Sequence, residues 1–220
     1  ACCHNPTGAD LTVDQWKQVA EVLREQQLFP FIDMAYQGFD KGIAQDGVAV
    51  RVVAEAGIDS FIVANSYSKS FSLYGERVGA LSIVAPNATE AKAVQSQIKR
   101  IIRTIYSSPS NHGAALVAGV LNSPELRALW EEELTEMRER IHALRHGLVD
   151  RLVALGAPEF SFINDQAGMF SYSGLSRVQV DKLRDEYGIY AVGTGRICVA
   201  ALSQSNLDYV AQAVANVSKA

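Results

Sequence analysis

The chain has 220 residues, 48% of them hydrophobic and 20% charged, enough to bury an ordinary globular core. Its net charge of −4 and the absence of any Lys/Arg-rich block argue against a nucleic-acid partner. No apolar run approaches the roughly 20 residues of a membrane span and no signal-peptide pattern opens the chain, so neither a membrane nor an export route is expected and a cytoplasmic location is.

In chain order, Ala1-Cys2-Cys3-His4-Asn5-Pro6-Thr7-Gly8 reads as the end of a buried strand running into a turn. A domain seldom opens inside such a motif, so further sequence is expected upstream. Cys2, Cys3 and Cys198 are too few and too oddly placed for a disulfide framework. Cys2-Cys3-His4 is not expected to bind metal, because neighbours on an extended segment face opposite ways and no second ligand pair follows.

Asp10 to Gln27 carries Trp16, Val19, Ala20 and Leu23 at helical spacing. Leu28 to Asp33 is a short apolar strand ending in a carboxylate, Gln45 to Ala56 a helix, Ser60 to Ala64 a strand and Val78 to Val84 another. Strands alternating with helices predict an α/β fold with a mostly parallel sheet, whose ligands gather at the carboxyl ends of the strands. Asn5, Asp33, Ser66 and Lys69 all lie just past a predicted strand end.

Ala91 to Ile105 and Gly113 to Leu121 read as helices, and Pro124 to Leu155 as one charged, periodic helix of the length that bridges two bodies. Phe160-Ser161-Phe162 and Met169 to Tyr172 read as strands, with helices near Val178 to Glu186 and Asn206 to Val217. The predicted organisation is therefore a larger body over 1–123, the bridging helix over 124–155 and a small α+β domain over 156–220.

Lys69 follows the apolar run Phe61-Ile62-Val63-Ala64, with Ser66, Ser68, Ser70 and Ser72 around it and Arg77 further on. That is a suitable setting for an amine nucleophile. Each candidate is weak alone: Asp33 could be a cap, Tyr36 a packed aromatic, Lys69, Arg77 and Arg196 solvated charges. Together, Asn5-Pro6-Thr7-Gly8, Asp33 with Tyr36, Ser66-x-x-Lys69, Arg77 and the distant Gly195-Arg196 resemble the class I aminotransferases that use pyridoxal 5′-phosphate, in their aspartate and aromatic-amino-acid branch.

The resemblance implies a type I pyridoxal-phosphate transferase fold, present here as an incomplete sheet with flanking helices. It makes Lys69 the lysine that forms the cofactor aldimine and then shuttles the substrate proton, and Asp33 the partner of the pyridine nitrogen. Tyr36 and Asn5 would serve the cofactor's phenolic oxygen, and Ser66 and Arg77 its phosphate. Arg196 would clamp the substrate α-carboxylate, with Asn5 and Phe170 beside the substrate. Arg103 would reach across a homodimer to a distal carboxylate.

Amino-acid and 2-oxo-acid substrates are implied, with the amino group passing from an aromatic amino acid or aspartate to 2-oxoglutarate. Tyr106-Ser107-Ser108-Pro109, Gly168 to Leu175 and Gly195 to Ala200 lean toward the aromatic enzymes. Ser110 replaces the second proline often found after that Tyr-Ser-Ser-Pro run. The family also supplies, upstream of the asparagine-proline motif, a phosphate loop, a ring-stacking aromatic and a tyrosine from the second subunit, so an inactive or complementation-dependent fragment is the alternative. A Ser66-x-x-Lys69 acyl-serine hydrolase is a remoter one, without the Ser-Asp-Asn or Lys-Thr-Gly partner motifs.

Overall fold

Strand β1 (Phe31–Met34) pairs in parallel with β2 (Phe61–Ser66), which pairs antiparallel with β3 (Gly79–Val84), giving the sheet order β1-β2-β3. The computed structural model describes residues 2–219. The chain divides into two units, the first made of Leu11–Gly38 and Gly42–Glu133, the second of Cys2–Asp10, Phe39–Lys41 and residues 134–219.

The expectation of a mostly parallel sheet needs correction, since only one of its two pairings is parallel. The reason lies in the connections. Between β1 and β2 the chain forms helices α2 (Ile43–Asp46) and α3 (Val48–Glu55), a crossover long enough to return a parallel strand. Residues 67–78, between β2 and β3, form turns without a helix, and the strand comes back antiparallel.

In the first unit, α1 (Val13–Glu25) opens on a capping box in which Thr12 Oγ1 accepts from Gln15 N at 3.2 Å and Gln15 Oε1 accepts from Thr12 N at 2.9 Å. It packs on α3. The single helix predicted over Gln45 to Ala56 is two helices, hinged at Gly47. Asp46 at the hinge is buried and accepts from Gly38 N at 2.7 Å.

Strand β1 alternates: Ile32 and Met34 are buried, Phe31 and Asp33 exposed. Helix α4 (Ala88–Tyr106), capped by Asn87, buries none of its residues, and α5 (His112–Asn122) buries only Gly113 and Val117. Helix α6 (Pro124–Ala154) is continuous over 31 residues. Its first turns belong to the first unit, and its buried residues, Leu134 to Leu152, to the second.

The second unit contains a 3-10 helix (Pro158–Asp165), β4 (Phe170–Tyr172), α7 (Arg177–Tyr187), β5 (Arg196–Cys198) and α8 (Leu207–Ser218). The strand predicted at Phe160-Ser161-Phe162 is thus part of the 3-10 helix. Pro158 starts it with a helical φ, and Phe160 and Ile163, three residues apart, turn to the same buried side. Strands β4 and β5 pair antiparallel, with Tyr172 opposite Arg196. Leu148, Leu152, Leu183 and Leu207 are buried in this unit.

The segment at Cys2-Cys3 is not extended as expected: Cys3 has φ 52°, and the two buried sulfurs lie within 4.8 Å of each other. Among the described residues no helix is long and apolar enough to cross a membrane.

Burial on α6 pushes the His142 imidazole below its ordinary value, opposed by the Asp40 carboxylate and reinforced by Arg145, His146 and Arg138. The folded chain therefore resists protonation that the unfolded chain accepts, and stability present above pH 6.5 falls as pH drops through and below it. His142→Gln is expected to lose less melting temperature than the wild type between pH 7 and pH 5, read by thermal unfolding at both.

Candidate active site

Because β1 and β2 run in parallel, with Asp33 in register with Ala64, their carboxyl ends lie at one end of the sheet. Asp33 and Ser66 both stand there. Gly79 permits the return strand to close on β2, since a Cβ at that position would lie 2.5 Å from the Asn65 carbonyl oxygen.

From Ser66 the chain leaves the sheet in a tight turn. Ser66 Oγ accepts from Ser68 N at 3.2 Å, Phe71 N donates to Tyr67 O at 3.1 Å and Ser72 N to Lys69 O at 3.1 Å. Lys69 is carried on this turn, half-buried between the buried Ser68 and Ser70, and its Nζ lies 4.7 Å from the centre of the Tyr36 ring. The electron-rich face of the phenol ring holds an ammonium or amine in that place. Arg77 is exposed at the far end of the turn, with φ 53°, and its Nη1 donates to Tyr74 O at 2.9 Å.

Contacts from outside this turn brace it and the strand end before it, and sequence reasoning passed over them. Trp130 of α6 stacks on Phe71 at 4.5 Å, and its Nε1 donates to Ser70 O at 2.6 Å. Asn65 Nδ2 donates to Gln37 Oε1 at 3.1 Å, and Gln37 Nε2 in turn to Ile43 O at 2.8 Å. A tryptophan in an otherwise charged helical stretch was the one visible signal.

The second unit assembles its own group. Arg196 opens β5, its Nη1 donates to Asn5 Oδ1 at 2.9 Å, and its guanidinium carbon lies 4.6 Å from the centre of the Phe170 ring. Gly195 before it has φ 87°, and a Cβ there would meet Leu175 O at 2.7 Å. Gly195 O accepts from Ser173 N and from Ser173 Oγ, at 2.9 Å and 2.7 Å. The arginine is thus presented from a close-packed backbone corner.

Asn5 is carried on the turn that sequence analysis placed there. Gly8 O accepts from Ala167 N at 2.7 Å and Thr7 O from Tyr172 N at 3.2 Å, so the segment lies along the chain leading into β4. Arg145 is buried below it, 2% exposed, and was not among the expected residues. Burial pushes its guanidinium down to about 10, opposed by the charges of Cys3 and Asp40, which leaves it protonated at neutral pH.

Lys69 thus meets Tyr36, with Asp33 and Ser66 at the same sheet end, and Arg196 meets Asn5 and Phe170. Arg103 lies exposed in the last turn of α4. An amine, a carboxylate, a phenol, a hydroxyl and a guanidinium in the first unit form a donor set that fits a phosphorylated pyridine aldehyde. The guanidinium of the second unit, held by a neutral amide and an aromatic face, suits a carboxylate.

Residues 1–214 match the model of the family described as aminotransferase class I and II. The chain is 60% identical over 99% of its length to an aspartate aminotransferase of Pseudomonas aeruginosa, and 51% identical over 98% to an aromatic-amino-acid aminotransferase of Escherichia coli. Each match covers 54% of the relative, so the chain spans about half the length of these relatives. Among solved structures it superposes with a TM-score of 0.95 on the aromatic-amino-acid aminotransferase of Burkholderia pseudomallei covalently bound to pyridoxal phosphate, at 62% identity, covering 98% of this chain and 54% of that one. The chain belongs to the class I and II aminotransferase family and has its fold.

Proposed function

We propose that the protein is an aminotransferase dependent on pyridoxal phosphate, moving the amino group of an aromatic amino acid or aspartate to 2-oxoglutarate. The observation that carries this reading is the placement of the Lys69 amine against the Tyr36 ring, on the turn that leaves the carboxyl end of the sheet, in a chain of this family. Pyridoxal phosphate, when bound, supplies an aldehyde for amine exchange and an electron-accepting ring.

The chain's own residues do the rest. Lys69 Nζ would be the group that holds the cofactor at its aldehyde end, and as a free amine it would take the proton from the substrate α-carbon. Asp33 holds a proton on the ring nitrogen through its carboxylate. Tyr36 would donate to the ring oxygen, Ser66 Oγ and the Arg77 guanidinium would bind the phosphate, and Asn5 would stand with Arg196 on the substrate side. Arg196 takes the α-carboxylate in its fork and fixes the α-hydrogen, while the Phe170 face keeps the guanidinium from swinging.

Both aspartate and aromatic-amino-acid aminotransferases are among the relatives at about half identity or above, which supports a substrate range covering both. Arg103, exposed on α4, serves the distal carboxylate of a substrate held by a second copy in a homodimer.

The test is covalent. After incubation with pyridoxal phosphate and reduction with borohydride, peptide mass spectrometry is expected to place the label on Lys69, and Lys69→Ala to lose it. Label spread evenly over the surface lysines would sink the reading.

A further inference from the structure

Arg145 has a side chain that a merely space-filling core position would not use. It is 2% exposed, and burying a guanidinium is costly unless its donors are occupied. Its Nη1 donates to Ile163 O at 3.3 Å and its Nη2 to Gly168 O at 2.6 Å and to Phe170 O at 3.0 Å. Nε has no hydrogen-bond partner among the described residues. The three carbonyls belong to the end of the 3-10 helix, the turn after it and the first residue of β4, so one side chain ties together three successive pieces of irregular backbone, at Ile163 O sharing the acceptor with Gln166 N. The planar fork of an arginine spreads its donors over three nitrogens and so reaches acceptors that stand apart, where a lysine has one nitrogen.

What that stretch carries gives the arrangement its consequence. Phe170 is the residue whose ring faces Arg196, and Ala167 and Tyr172, on either side of it, donate to Gly8 and Thr7 and so hold the turn that bears Asn5. Both contacts made by the Arg196 guanidinium therefore trace back to one buried side chain.

We propose that Arg145 is the positioning residue of a carboxylate clamp: by tying down the carbonyls of Ile163, Gly168 and Phe170 it sets the place of the Phe170 ring and of Asn5, and through them the aim of Arg196. This rests on the reading of Arg196 as the group that takes the substrate carboxylate. Arg145 itself touches no substrate. A lysine keeps its charge but cannot span three acceptors, and the segment gains freedom that the clamp then has to remove on binding.

The test uses the chain with 3-phenylpropanoate and its uncharged amide, 3-phenylpropanamide, as probes in titration calorimetry. The readout is the ratio of their affinities, because a general loss of stability lowers both while a mis-aimed guanidinium lowers the carboxylate alone. The wild type is expected to prefer the carboxylate by about tenfold or more, and Arg196→Met to lose that preference. Arg145→Met is expected to lose most of it. Should that variant not fold, Arg145→Lys carries the test, with a ratio lowered about threefold to tenfold and a cooperative melt retained.

A folded Arg145→Lys with the wild-type ratio would overturn the proposal, as would a wild type whose ratio does not depend on Arg196. Borohydride labelling of Lys69 is read separately. If it fails while the ratio behaves as expected, the aminotransferase reading falls and the role of Arg145 stands.

Discussion

Asp33→Ala is expected to slow amino transfer by about 10²–10⁴-fold while costing little melting temperature. The two halves of that expectation come from the same strand. In β1 the side chains of Ile32 and Met34 point into the core and those of Phe31 and Asp33 away from it, so truncating Asp33 removes no buried apolar contact. The backbone of residue 33 remains in the parallel ladder opposite Ala64 whatever its side chain. The loss is therefore chemical. Asp33→Asn separates charge from shape: if the carboxylate acts by holding a proton on the ring nitrogen, the amide is nearly as slow as alanine, since it cannot offset the positive charge. Asp33→Glu keeps the charge and is expected to fall between. Single-turnover transfer from tyrosine or aspartate, with thermal unfolding of each variant, measures both quantities. An asparagine variant of wild-type speed would remove Asp33 from the chemistry.

The same strand shows what the sequence made legible. Short apolar runs bounded by polar turns located β1, β2 and β3, and the helical spacing of Trp16, Val19, Ala20 and Leu23 located α1, because these signals depend on neighbours within a few residues. Strand direction was less accessible. The alternation of helix and strand suggested a mostly parallel sheet, yet the 67–78 connection holds the lysine turn without a helix and β3 returns antiparallel. Phe160-Ser161-Phe162 misled for a different reason: three residues are too few to tell a period of two from a period of three, and Pro158 decided it.

The candidate site divides in the same way. Lys69, Ser66 and Arg77 lie within one continuous segment, and its position after a strand could be read directly. The residues that hold the segment in place could not. Trp130 braces Ser70 from 60 residues away, and Arg145 reaches carbonyls 18 to 25 residues along the chain. Their partners are backbone atoms, which every residue possesses, so no residue type in the sequence announces the pairing.

Gly168→Ala is expected to cost about 3 kcal/mol of stability, from two independent penalties at one atom. Gly168 has φ 80°, where a side chain is strained, and an added Cβ would lie 2.3 Å from the Cβ of Cys3 and 3.0 Å from its sulfur. The peptide cannot simply turn aside, because Gly168 O is held by Arg145 at 2.6 Å. The Cys3 segment must move instead. It is joined to the same stretch through Gly8 O and Thr7 O, so displacing it loosens the turn that brings Asn5 to Arg196. Hydrogen exchange is accordingly expected to quicken over residues 3–9 and 166–172, and the carboxylate-to-amide preference to fall, while Lys69 in the first unit still takes the pyridoxal phosphate label. Cys3→Gly supplies the control. It removes the atom in the way and relieves a residue whose own φ is 52°, so the double variant is expected to be more stable than Gly168→Ala alone. A double-mutant cycle with no favourable coupling would show that the Cβ contact is not what Gly168 avoids, and a Gly168→Ala chain as stable as the wild type would show that neither penalty operates.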